Sequence, residues 1–144
     1  MCGLLFVAHR GKPIDETRFH RALGLIKHRG PDGTGDILFD LPARDANTAP
    51  ISIAAGHQRL AILDPRPQSD QPFRRDGHTL VYNGEIYNFR KLRGSLSASQ
   101  GARFATDGDT EVLSHIMRLR GLAGLADAQG MWACCALDER RQML

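Results

Sequence analysis

Apolar runs are short throughout this chain, and none approaches the roughly 20 residues that a membrane-spanning helix needs. The stretch 4–8 is too short for a signal-peptide core, and no basic segment precedes it. Cysteine is scarce: the three present, an odd number, exclude a disulfide scaffold and fit a reducing, cytoplasmic setting. Charge of one sign is scarce too. The 19 Lys and Arg against 16 Asp and Glu leave a scattered net +3, not the basic block that a nucleic-acid surface requires. His9, His20, His28, His57, His78 and His115 show no HExxH-like spacing, so no metal site is expected. Neither a GxxxxGK phosphate loop nor a GxGxxG fingerprint occurs. What remains is an ordinary globular composition, 42% hydrophobic and 24% charged. At 144 residues it suffices for one domain with a core.

No repeat, low-complexity tract or linker divides the chain. Residues 2–7 predict an opening strand. Asp15 is an N-cap signal ahead of Phe19, Ala22, Leu23 and Ile26, whose spacing predicts a buried helix face. Arg29-Gly30-Pro31-Asp32-Gly33 ends that helix. Residues 37–41 and 51–55 predict two strands, the second continuing through 56–64 until Pro65 and Pro67 break it. Residues 79–82 predict another strand, leading into Asn83-Gly84-Glu85. Asn88 and Asp109 are expected to cap two more helices, the second with Val112, Leu113, Ile116 and Leu119 on its apolar face. Residues 131–137 predict a last strand. Strands gathered around antiparallel turns, with helices between, predict an α+β fold in preference to a doubly wound parallel sheet.

Cys2 is the first residue with chemical promise. If Met1 is removed, the chain begins with a thiol beside a free α-amine that titrates near pH 7.7–8.0, a nucleophile with a built-in base. Alone, a cysteine at position 2 reads more readily as a small buried hydrophobe. Asn83 and Gly84 can supply two donors, a side-chain amide and a backbone N–H, to the oxyanion of an acyl-transfer intermediate. Asn-Gly is also the strongest signal for a tight hairpin turn. Arg59 can clamp a carboxylate bidentately or stand as a solvated surface charge. Glu85 can hold an ammonium group, and so can Asp109, although capping alone explains Asp109. Cys134 and Cys135, adjacent in a strand, point to opposite faces and read as core.

Singly these readings are weak; in order along the chain they form a pattern. Met1-Cys2-Gly3, His28-Arg29-Gly30-Pro31-Asp32-Gly33, Gly56-His57-Gln58-Arg59-Leu60-Ala61-Ile62-Leu63-Asp64, Gln71-Pro72, Tyr82-Asn83-Gly84-Glu85-Ile86-Tyr87-Asn88, Asp109-Thr110-Glu111-Val112 and Gly130-Met131-Trp132 resemble the N-terminal glutaminase domain of asparagine synthetases. That domain is a class II glutamine amidotransferase of the N-terminal-nucleophile hydrolases. The resemblance implies a four-layer αββα sandwich and hydrolysis of glutamine to glutamate and ammonia through a Cys2 thioester. It implies Cys2 as nucleophile, its α-amine as base, and Asn83 and Gly84 as oxyanion hole. Arg59 would take the substrate carboxylate, Glu85 and Asp109 its ammonium, and Leu60 and Ile62 would add backbone groups. The glutaminase step takes no cofactor. ATP and magnesium are implied only for a synthetase domain or subunit that receives the ammonia, and that domain is not in this sequence.

The chain departs from the family pattern in three places. Gly108 stands where a serine is usual, Cys134 and Cys135 replace apolar residues, and the strands that follow in the family are missing after Leu144. The expectation is therefore one amidotransferase domain over residues 1–144, incomplete at its C-terminus. Two other readings stay open: a catalytically silent amidotransferase-like binding module, and a Cys2–His57 thiol hydrolase. Oligomeric state is not legible.

Overall fold

The computed structural model describes residues 2–143. Its strands are β1 (Gly3–Arg10), β2 (Gly33–Leu41), β3 (Ile51–Arg59), β4 (Phe73–Arg75), β5 (His78–Ile86) and β6 (Gly130–Asp138). Its helices are α1 (Glu16–Leu25), α2 (Phe89–Gln100) and α3 (Asp109–Arg120), with single 3-10 turns at Lys27–Arg29 and Pro67–Ser69 and a longer one at Leu122–Asp127. The strands form two antiparallel sheets, ordered β1-β3-β2 and β4-β5-β6. The α+β expectation therefore holds at the level of two antiparallel sheets with helices.

β3 and β5, each central in its sheet, are covered on both faces. Helix α1 packs on β1 and β3, α3 packs on β5, and β5 also touches β1 and β3. This double covering explains why β3 is buried almost continuously instead of alternately. Ala54 faces α1 and completes a small core with Phe19 and Leu23, flanked by Leu5, Val7, Ile14, Ile26 and Leu38. The larger core lies between the second sheet and α2 and α3, built from Phe73, Leu80, Tyr82, Ile86, Leu92, Leu96, Val112, Leu113 and Ile116. Leu80, Tyr82 and Ile86 share one face of β5 by the two-residue period of a strand, so Val81 on the opposite face turns to the first sheet.

Local signals succeeded where their partners are local. Asp15 caps α1 by accepting the Arg18 N–H at 3.0 Å. The other two expected caps are corrected. Asn88 stands at the N-cap position of α2 but makes no capping bond. Its amide instead donates to the Asp127 carbonyl at 2.9 Å and accepts the Gln129 N–H at 3.0 Å, fastening the approach to β6. The N-cap of α3 is Gly108, and Asp109 is the first helical residue. The Asn83-Gly84 turn signal is overridden: β5 runs on to Ile86, with Asn83 opposite Ala133, Gly84 opposite Trp132 and Glu85 opposite Met131. Strand β4, three residues long, was not anticipated.

Cys134 and Cys135 are half-buried in β6, and Cys134 packs against the larger core. Burial raises both thiols, Cys135 to about 11, as suits packing residues. Leu113 is wholly buried at the centre of that core. Leu113→Ala is expected to cost about 2–5 kcal/mol of stability, read from the midpoint shift of urea unfolding.

Candidate active site

The register of β1 on β3 pairs Gly3 with Gln58, which sets Cys2 beside the chain as it leaves β3. There the Leu60 N–H donates to Cys2 Sγ at 3.3 Å, and the thiol points back to the Leu60 carbonyl at 3.6 Å. Arg29 Nε donates to the Cys2 carbonyl at 3.4 Å. Cys2 is half-buried on the wall of a small, open cavity.

The same cavity is lined by Arg59, Leu60, Ile62, Gly84, Glu85 and Asp109, so residues spread over more than 100 positions meet in one place. Asn83 is not on the wall. It is half-buried beside Gly84, and its Oδ1 is enclosed without a hydrogen-bond partner. By strand alternation Asn83 and Glu85 share the face of β5 that turns to the first sheet. Gly84 has φ +157°, and a Cβ there would lie 2.3 Å from the Met131 carbonyl oxygen. Only glycine fits.

Arg59 is not the solvated arginine that position alone allows. Its side chain is 10% exposed. One Nη donates to the carbonyls of Asp64 at 2.7 Å and Arg66 at 3.3 Å; the other donates to Pro65 at 3.5 Å and pairs with the exposed Asp70 carboxylate. A carboxylate arriving at Arg59 therefore meets a cation already fixed in place, with one anionic partner to displace.

Asp109 is buried, and its Oδ2 accepts the Tyr82 hydroxyl at 2.7 Å and the Ile86 N–H at 2.9 Å. Burial, then the Asp109 carboxylate, push the Tyr82 phenol above its ordinary range, so it stays protonated as a donor. Tyr82 was missed as a site residue although it sits in a quoted motif, because only the fold shows that its hydroxyl reaches α3. Gln71 was missed likewise; its Oε1 accepts the Tyr82 N–H at 2.5 Å. Glu111, wholly buried, accepts Thr106 N–H at 2.7 Å and its hydroxyl at 2.8 Å, and pairs with Arg75. These bonds hold the chain that enters α3.

His57 is 1% exposed on the same cavity, and neither ring nitrogen meets hydrogen-bond geometry. Burial, then Arg59, lower its pKa to about 4. Cys2 bonds to Leu60, not to His57, so the geometry gives no support to a Cys–His pair.

Compared with known protein families, residues 1–144 match the model of a glutamine amidotransferase domain. The chain belongs to that family. Among curated relatives, a putative glutamine-hydrolyzing asparagine synthetase 2 of Methanocaldococcus jannaschii is 31% identical over 160 residues, covering 100% of this chain and 29% of the relative. A putative glutamine-hydrolyzing asparagine synthetase of Mycobacterium tuberculosis is 37% identical over 151 residues, covering 96% of this chain and 22% of the relative. Amidase chry2 of Gibberella zeae is 30% identical over 158 residues, covering 100% and 22% respectively. The chain thus spans between about a fifth and a third of the length of these relatives.

In this amidotransferase domain His57 also makes a pH prediction. Between pH 6.5 and about 4 the unfolded chain protonates this histidine and the folded domain does not. The unfolded state then binds more protons, so stability falls as pH drops through that window, by on the order of 3 kcal/mol in total. Urea unfolding from pH 7 to 4 should show a flatter stability profile for His57→Gln; an identical profile would assign the acid sensitivity elsewhere.

Proposed function

We propose that this domain hydrolyses glutamine to glutamate and ammonia, with Cys2 as the nucleophile. The observation that carries the reading is the meeting of Cys2, Gly84, Arg59, Glu85 and Asp109 around one cavity in a chain of the amidotransferase family. Glutamine's amino-acid end bears one carboxylate and one ammonium. Arg59 complements the first, and Glu85 and Asp109 the second, while Leu60 and Ile62 offer backbone groups at the rim.

In this reading Met1 is removed and the α-amine of Cys2 takes the thiol proton. The sulfur attacks the side-chain amide carbon, and the oxyanion is held by the Gly84 N–H and the Asn83 side-chain amide. Collapse expels the amide nitrogen, which leaves as ammonia with the proton from the α-amine. Water then attacks the thioester and releases glutamate, restoring the thiol. No cofactor enters these steps. The fold reading is the four-layer αββα sandwich of N-terminal-nucleophile hydrolases, with residues 1–144 as one amidotransferase domain. It is supported by α1 packing on the first sheet, α3 on the second, and β5 meeting β1 and β3.

The ammonia would pass to a synthetase domain or subunit in the cytoplasm, where ATP and magnesium would act, as in asparagine synthesis. Support comes from relatives named as glutamine-hydrolyzing asparagine synthetases that are several times longer than this chain. The acceptor is set by that partner, not here.

Intact mass should show the loss of Met1, and a chain that keeps it has no free α-amine at Cys2. Cys2→Ala is expected to lower glutamine hydrolysis by on the order of 10³-fold or more; equal ammonia release from both proteins would sink the nucleophile assignment. Glutamine binding by calorimetry without turnover would turn the reading to a silent binding module.

A further inference from the structure

The loop after β3 turns back at Asp64, which adopts φ +46°, the left-handed region that non-glycine residues seldom occupy. Its side chain is 1% exposed. A covered carboxylate persists only if its oxygens are satisfied, and here they are satisfied by two different segments. Arg66 grips both oxygens, Nε to Oδ1 at 2.6 Å and Nη2 to Oδ2 at 2.6 Å. The Asp107 N–H donates to Oδ2 at 2.7 Å, and Arg66 Nη2 also reaches Asp107 Oδ2 at 2.8 Å. The Arg66 guanidinium, with the Asp107 N–H, holds the Asp64 carboxyl well below the usual carboxylate range, so it is an anion throughout the working pH range.

The backbone carbonyl of the same residue accepts Arg59 Nη2 at 2.7 Å. Asp64 therefore touches the guanidinium assigned to the substrate carboxylate. It also touches the chain two residues ahead of Asp109, assigned to the substrate ammonium. Arg59 and Asp109 both line the one cavity.

We propose that Asp64 is a positioning residue that fixes the span between Arg59 and Asp109 and so makes the pocket selective for an α-amino acid over an amide lacking one of those charges. The inference rests on the glutamine reading above. A mere staple between two surface loops would alter stability and leave the ratio of substrates unchanged. A ruler between two charged groups alters that ratio.

The test uses Asp64→Gly, which keeps the left-handed turn without strain, and Asp64→Asn, which keeps one acceptor oxygen for the Asp107 N–H. Hydrolysis of L-glutamine is compared with that of glutaramate, which has the same amide but no α-ammonium. Asp64→Gly should raise KM for L-glutamine by on the order of tenfold with kcat within about threefold, and shrink the preference over glutaramate in step; Asp64→Asn should recover part of both. An unchanged KM and preference would overturn the proposal, as would a loss of kcat and thermal stability at constant preference. Hydrogen exchange reads the tie itself. The Asp107 amide should exchange on the order of tenfold faster in Asp64→Gly. Equal exchange overturns the inference whatever the assays show, whereas faster exchange in Asp64→Gly, together with a wild-type protein that hydrolyses no glutamine, overturns the glutamine reading instead.

Discussion

The pairing of β1 with β3 is the constraint on which the site depends. A slip of one residue would turn Leu5 and Val7 out of the smaller core and carry Cys2 away from Leu60. The register is held from several sides. Gln58, buried in β3, donates to the Leu23 carbonyl at the end of α1 and accepts the Thr34 hydroxyl from β2. A Cβ on Gly30 would lie 2.3 Å from the Gln58 carbonyl oxygen, so the chain after α1 can lie on the β3 backbone only as glycine. Just beyond, Asp32 donates its N–H to the Arg59 carbonyl at 3.0 Å and accepts the Ala61 N–H at 2.8 Å. The segment that ends α1 therefore also braces the two residues flanking Leu60.

Around this frame the charged groups are dressed by protein before any substrate arrives. Arg59 is ringed by three backbone carbonyls, and Asp109 by a phenol and a backbone N–H. Groups held this way lose little freedom when a ligand binds, and Arg59 and Asp109 keep to separate partners, Arg59 pairing with Asp70 and not with Asp109. His57, on the same cavity, contributes shape and no charge near neutral pH, because burial and the neighbouring guanidinium both disfavour its protonated form.

Much of this was legible in the residue order, and the exceptions share a cause. Asp15 acts on a neighbour three residues away, and its cap was readable. Asn88 and Asp109 carry the same local signal, yet Asp127 and Gln129 claim the first, and Tyr82 and Ile86 the second. Asn83-Gly84 is a turn signal only when no strand lies alongside; β6, arriving more than 40 residues later, removes the choice. The cavity residues were found through motif order. What order could not show was that Arg59 is enclosed, that Asn83 is not among the residues lining the cavity, and that Tyr82 bonds to Asp109, Gln71 to Tyr82 and Asp64 to Arg59.

The glycine at position 84 has a consequence for how this protein can vary. Beside it an added Cβ would strike the Met131 carbonyl oxygen and the Trp132 Cα and Cβ, none of which can swing aside without moving the strand. Where the neighbour is a flexible side chain, a larger residue can be accommodated by one that shrinks or swings aside. Here any added carbon must pry β5 from β6 and carry Asn83 and Glu85 with it. The least chemically endowed residue of the cavity is thus the one with no compensating partner, and variation at this seam has to come from its neighbours.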